Sequence, residues 1–107
     1  MPGRPEPIIR FTVTARDELD ELGVWIAIDT GPNAAKGVLS RIDRALANLA
    51  AFPEIGRIRP DLIGSPRTLS VHPWLLVYEP LTGERGILVM RVLDGRRDIQ
   101  ALLGAGQ

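Results

Sequence analysis

The spacing of apolar residues changes rhythm several times along the chain, and each change marks a new element. Ile9, Phe11 and Val13 alternate with Arg10 and Thr12 within Ile8–Thr14, the pattern of a half-buried β-strand. From about Ala15 to Asp29 the period lengthens. Leu19, Leu22 and Ile26 fall on one face and Trp25 widens the stripe, which predicts an amphipathic helix. Thr14 stands three residues before Asp17, like a capping box built with the shorter acid. Asp17, Glu18, Asp20 and Glu21 crowd the first turns, where the positive end of the helix dipole favours them. Gly23 inside the helix costs about 1 kcal/mol relative to alanine.

Thr30-Gly31-Pro32-Asn33 breaks the pattern, with Asn33 placed to cap a second helix over about Ala34–Phe52. There Val38/Leu39, Ile42, Ala45/Leu46 and Leu49 recur with a mean step of roughly 3.5 residues, close to the helical period. Lys36, Arg41 and Arg44 make its outer side basic. Two such helices on a short loop pack as an antiparallel hairpin, which brings the acidic and basic faces near each other. Pro53 ends the second helix, and Glu54–Asp61 reads as an irregular connection.

Shorter apolar runs follow. Arg67–Val71, Trp74–Glu79 and Gly86–Leu93 read as strands, separated by turns at His72-Pro73 and Thr82–Glu84. The last two are apolar enough to be central and covered on both faces for much of their length. Asp98–Leu103 allows at most two turns of helix. The order β-α-α-β-β-β predicts an α+β two-layer sandwich: an αα-hairpin on a twisted antiparallel sheet, with the first strand at an edge and a possible short C-terminal helix. Residues 1–107 form one domain on this reading, with 1–7 a loose lead-in and 104–107 a flexible end.

Composition narrows the chemistry. The absence of cysteine among the 107 residues excludes disulfides, thiolate metal sites and a cysteine nucleophile. His72 is the only histidine, so neither a metal nor another cofactor is expected. The 13 basic residues balance 13 acidic ones, so bulk charge offers no attraction for phosphate. Neither a membrane-length apolar run nor a signal-peptide core is present, and a cytoplasmic protein is expected.

Five segments then stand together: Ala51-Phe-Pro-Glu-Ile-Gly-Arg57, Arg59-Pro-Asp-Leu62, Pro66-Arg-Thr-Leu-Ser-Val71, Leu76-Val-Tyr-Glu-Pro80 and Met90-Arg-Val-Leu-Asp-Gly-Arg-Arg-Asp98. In this order and spacing, from about Ile8 to Leu103, the chain resembles the RelE/ParE toxin superfamily, and within it the ParE branch of type II toxin–antitoxin systems. The resemblance implies a toxin neutralised by a cognate ParD-like antitoxin, touching operator DNA only indirectly through that antitoxin. It further implies DNA gyrase as the target, poisoned as a cleaved DNA complex, and a role in plasmid stabilisation. RelE-type relatives instead cut mRNA in the ribosome, which is the alternative reading; a degenerate toxin that keeps only antitoxin binding and co-repression is a third.

Metal-free RNA cleavage needs a base for the 2′-hydroxyl, an acid for the leaving oxygen and cations for the phosphorane. Arg67, Tyr78, Arg91 and Arg96 would have to supply them. RelE-like ribonucleases carry a tyrosine or histidine near the end of the last strand, whereas this strand runs into Asp94-Gly95-Arg96-Arg97. Asp94 also stands where the ParE pattern commonly has histidine. Binding is therefore favoured over catalysis, with Trp25, Ile28, Arg67, Arg91, Arg96 and Arg97 as candidate contacts for target or antitoxin. Arg91 is equally readable as a sheet-surface residue paired with Glu79 on the neighbouring strand. His72 reads as a turn residue, Trp74 and Tyr78 as core, and Asp94 or Asp98 as the cap of the terminal helix. Val24, Ile28 and Val38 lie off the main stripes and suggest a groove for an antitoxin helix.

Overall fold

In the computed structural model, which describes residues 6–104, the elements are β1 (Ile8–Phe11), α1 (Val13–Asp29), α2 (Pro32–Ala51), β2 (Arg57–Ile58), β3 (Arg67–Val71), β4 (Trp74–Pro80), β5 (Gly86–Asp94) and α3 (Ile99–Leu103). The sheet order is β1-β5-β4-β3-β2, with β1 at an edge as the pattern predicts. The expected loose ends at 1–5 and 105–107 lie outside the described residues.

The meander β2 to β5 is antiparallel, but β1 runs parallel to β5, with Ile8 opposite Gly86 and Phe11 opposite Val89. The sheet is therefore mixed rather than wholly antiparallel. Sequence spacing alone does not reveal the direction of an edge strand whose partner comes last in the chain. The second difference is β2, two residues inside the stretch expected to be irregular. It pairs with Arg67 and Thr68 of β3.

Helix boundaries also move. The cap of α1 is Thr12, not Thr14: its Oγ1 accepts from Ala15 N at 3.0 Å and donates to Met90 O at 2.8 Å. Thr12 N donates to Val89 O, so strand pairing fixes this residue and the helix begins at the next one. The acids at 17–21 consequently fall beyond the first turn, and the expected dipole benefit is lost. α2 starts at Pro32, a position that suits a ring without an N–H, and Gly31 before it takes φ +118°. Asn33 thus lies inside the first turn rather than capping it.

Both helices press their apolar stripes onto one face of the sheet. Ala15, Leu19, Leu22 and Ile26 of α1 and Ile42, Leu46 and Leu49 of α2 meet Leu76, Tyr78, Ile87, Val89 and Val92. On the opposite face Leu62, Leu75, Val77, Leu93 and Ile99 form a smaller cluster. Residues 59–66 and α3 cover it, adding a partial third layer. Asp98 caps α3 by accepting from Ala101 N at 3.1 Å. Asp61 binds Arg59 at 2.8 Å and Gln100 at 3.0 Å, tying this cover together. The Arg59 guanidinium, with a further bond from Gln100, holds the Asp61 carboxyl far below the usual carboxylate range.

The turn after α2 is held from below. The buried Tyr78 hydroxyl accepts from Gly56 N at 2.8 Å and donates to Pro53 O at 2.6 Å. Burial pushes its pKa up. Arg67 Nη1 donates to Gly56 O at 2.8 Å. A Cβ at Gly56 would overlap Tyr78 Oη, so only glycine lets the chain pass this close. Tyr78→Phe leaves the buried Gly56 N–H unpaired and is expected to lower the unfolding free energy by about 1–3 kcal/mol, measured by urea titration. Gly56→Ala is expected to cost at least as much.

Candidate functional site

β5 outlasts its neighbour. β1 stops opposite Val89, while β5 continues to Asp94, so its outer edge needs other partners. The start of α1 supplies them. Thr12 binds Met90 O, and the Glu18 carboxylate accepts from Val92 N at 2.9 Å. The same carboxylate takes the Arg91 guanidinium in a forked pair, with Nη2 at 2.8 Å and Nε at 3.1 Å. Hydrogen bonding to Glu18 raises the Arg91 pKa against the opposing cost of burial. The expected Arg91–Glu79 pair does not form. The β4–β5 register places Arg91 opposite Val77 and, past a bulge at Val77/Tyr78, Glu79 opposite Leu88, and Glu18 claims the arginine.

Beyond this seal α1 and the end of the sheet enclose a cleft of about 430 Å³. Leu22 and Trp25 of α1 face Trp74, Val92 and Leu93 across it, and Glu18, Glu21, Asp94, Arg96 and Arg97 ring it. Trp74 and Asp94 are directly opposed in the β4–β5 ladder. The Asp94 carboxylate accepts from Arg96 Nη2 at 2.6 Å, Nε at 2.9 Å and backbone N at 2.9 Å. These bonds lower its pKa to about 2. Asp94 thus pins the turn after β5, while capping of α3 falls to Asp98. Trp74 packs partly against the helix-face core, and its Nε1 is buried with no partner among the described residues.

The structure sorts the candidate residues into two places. Trp25, Arg96 and Arg97 line the cleft, and Arg91 stands behind its wall through Glu18. Ile28, 82% exposed, lies one turn further along α1 but outside the cleft. Arg67 and Tyr78 are opposed in the β3–β4 ladder and clasp the turn after α2. The four residues a ribonuclease would need are therefore split between two sites, and the tyrosine hydroxyl is committed to backbone on both sides. Of the groove residues, Val24 lines a shallow depression between α1 and α2 with Leu39, whereas Val38 packs against the core. Among the described residues no cluster of His, Cys, Asp or Glu could hold a metal ion.

Glu18 and Trp74 were missed as site residues. The signal for Glu18 was present: it lies four residues before Leu22 and seven before Trp25, so an acid shares the buried stripe. Nothing in the sequence marked the free edge that calls for it. Two outcomes follow. Glu18→Ala strands Arg91 and the Val92 N–H and is expected to cost about 1–3 kcal/mol in denaturant unfolding. Asp94 contributes stability through a depressed pKa, so that contribution is whole above the ordinary carboxylate value of about 3.9 and lost as pH falls through about 2. Thermal melts over that window should show a shallower acid loss in Asp94→Asn than in the parent, with the share due to Asp61 remaining in both.

Comparison with known proteins agrees with this architecture. Residues 9–99 match the sequence model described as ParE toxin of type II toxin-antitoxin system, parDE. Toxin ParE3 of Caulobacter vibrioides is 39% identical over 87 residues, which cover 81% of this chain and 85% of that protein. A putative toxin, Y4kP of Sinorhizobium fredii, is 40% identical over 72 residues, covering 65% and 72% of the two chains. Among solved structures, a chain of the chromosomal ParDE TA system from P. aeruginosa superposes with a TM-score of 0.66 at 21% identity, covering 81% of this chain and 94% of that one, a likeness of fold. A parallel edge strand, an αα-hairpin laid on the meander and a match over nearly the whole length converge, and the chain belongs to the ParE toxin family of type II toxin–antitoxin systems.

Proposed function

We propose that this chain is a gyrase-directed toxin that acts by binding, and that a cognate ParD-like antitoxin neutralises it in the cytoplasm. The observation that carries the choice of binding over RNA cleavage is the state of Tyr78. Cleavage without a metal needs an acid and a base that can reach the substrate. The one tyrosine of the chain is fully buried, and its hydroxyl is engaged by Pro53 O and Gly56 N. His72, the one histidine, is exposed in the turn between β3 and β4; Pro73 O of that turn accepts from Gly95 N, next to Arg96, but no described carboxylate pairs with the imidazole to orient it as a base. What remains accessible is a recognition surface: Trp25, more than half exposed, beside Arg96 and Arg97.

The antitoxin reading draws support from the family and from the ParDE system to which the structural neighbour belongs. It also accounts for Val24, Trp25 and Ile28, large apolar residues left exposed along α1. The deciding experiment runs the purified toxin in two assays side by side. DNA gyrase with supercoiled plasmid should accumulate protein-linked, linearised DNA, while coupled translation should leave mRNA ends unchanged. Premixing with the antitoxin encoded beside this chain should abolish the plasmid cleavage. Cut mRNA with normal supercoiling would overturn the gyrase reading.

A further inference from the structure

Both tryptophans of the chain, Trp25 and Trp74, wall the same cleft. Its charges divide cleanly. Glu18 is saturated by Arg91 and Val92 N, and Asp94 by Arg96. That leaves Glu21 on the α1 wall and the Arg97 guanidinium on the β5 side, neither with a hydrogen-bonded or ion-paired partner among the described residues. Trp25 is 56% exposed although it stands beside the apolar residues Leu22, Val92 and Leu93, so its ring keeps water where a partner could exclude it. A nucleic-acid backbone suits this cleft poorly, because its lining sets three carboxylates against two guanidiniums and offers no net positive charge.

Resting on the antitoxin reading above, we infer that this cleft seats one apolar side chain of the antitoxin. A basic antitoxin residue meets Glu21 and an acidic one meets Arg97. The opposed free charges set the direction in which the segment lies, its basic end toward α1 and its acidic end toward the turn after β5. Rim charges of this kind select a register and an orientation, while the aromatic wall supplies the contact area.

The test uses the full toxin labelled with 5-fluorotryptophan, whose two ¹⁹F resonances are assigned with Trp74→Phe, titrated with the unlabelled antitoxin encoded beside it. Saturation is expected to move both resonances. Trp25→Ala should weaken binding at least about tenfold, and Glu21→Lys and Arg97→Glu about threefold to tenfold each, the last two effects shrinking in high salt. Should Trp25→Ala fail to fold, Trp25→Phe reads the same contact. Tight binding with both resonances unmoved, or with all three variants matching the parent, overturns the inference and leaves the antitoxin reading standing. Failure of the parent chain to bind the antitoxin at all overturns both. A dimer of the free toxin that Glu21→Lys dissolves would assign the cleft to a second copy and overturn it too.

Discussion

Where β1 ends, β5 runs on from Met90 to Asp94 with its outer edge open, and the arrangement of the molecule follows from how that edge is closed. A sheet edge with free N–H and C=O groups must be paired, covered or hydrated. Here Thr12 and Glu18 take the place of the missing strand, one accepting and donating at the start of α1, the other pairing with Val92 N and Arg91 six residues later. Two contacts a turn and a half apart fix both the position and the rotation of α1 on the sheet. The rotation decides which residues of α1 face water. It buries Leu19, Leu22 and Ile26 and leaves Trp25 beside the end of β5, where the cleft forms. Structural closure and the cleft are thus produced by the same helix orientation.

Much of the fold was legible because its elements obey strong local rules. The 3.5-residue recurrence of α2 and the continuous apolar runs of β4 and β5 leave few alternatives, and the edge position of β1 follows from its short alternating pattern. What could not be read was long-range. The direction of β1, the β4–β5 register that sets Arg91 opposite Val77 and the pairing of Arg57 and Ile58 depend on partners distant in sequence. Thr14 looked a better cap than Thr12 because a capping box is a local pattern, and the hydrogen bonds that favour Thr12 come from Val89 and Met90. The candidate site divides the same way. Trp25, Arg96 and Arg97 line the cleft, whereas Arg67 and Tyr78 bond to the backbone of the turn after α2.

The clasp under the turn after α2 engages both of these side chains. Tyr78, Arg67 and Gly56 form one unit in which a phenol, a guanidinium and a side-chain-free backbone close on each other. Its partners are carbonyl and amide groups of the backbone, so the unit stabilises the exit from α2 and holds no reactive group toward solvent. Fold alone does not dictate activity, and on this scaffold a tyrosine on a central strand serves the core.

The parallel pairing of β1 with β5 has a further consequence. β1 lies at the beginning of the chain, and the strand it pairs with in the sheet is the last to be made. Loop closure over so long a span must precede any reward from the contact, which makes it slow. During synthesis the αα-hairpin can form early, yet the sheet beneath it, the seal on β5 and the cleft beside Trp25 all wait for residues near the C-terminus. The surface that a partner would recognise does not exist on the nascent chain. It comes into being only once β5 has been made and has closed against β1.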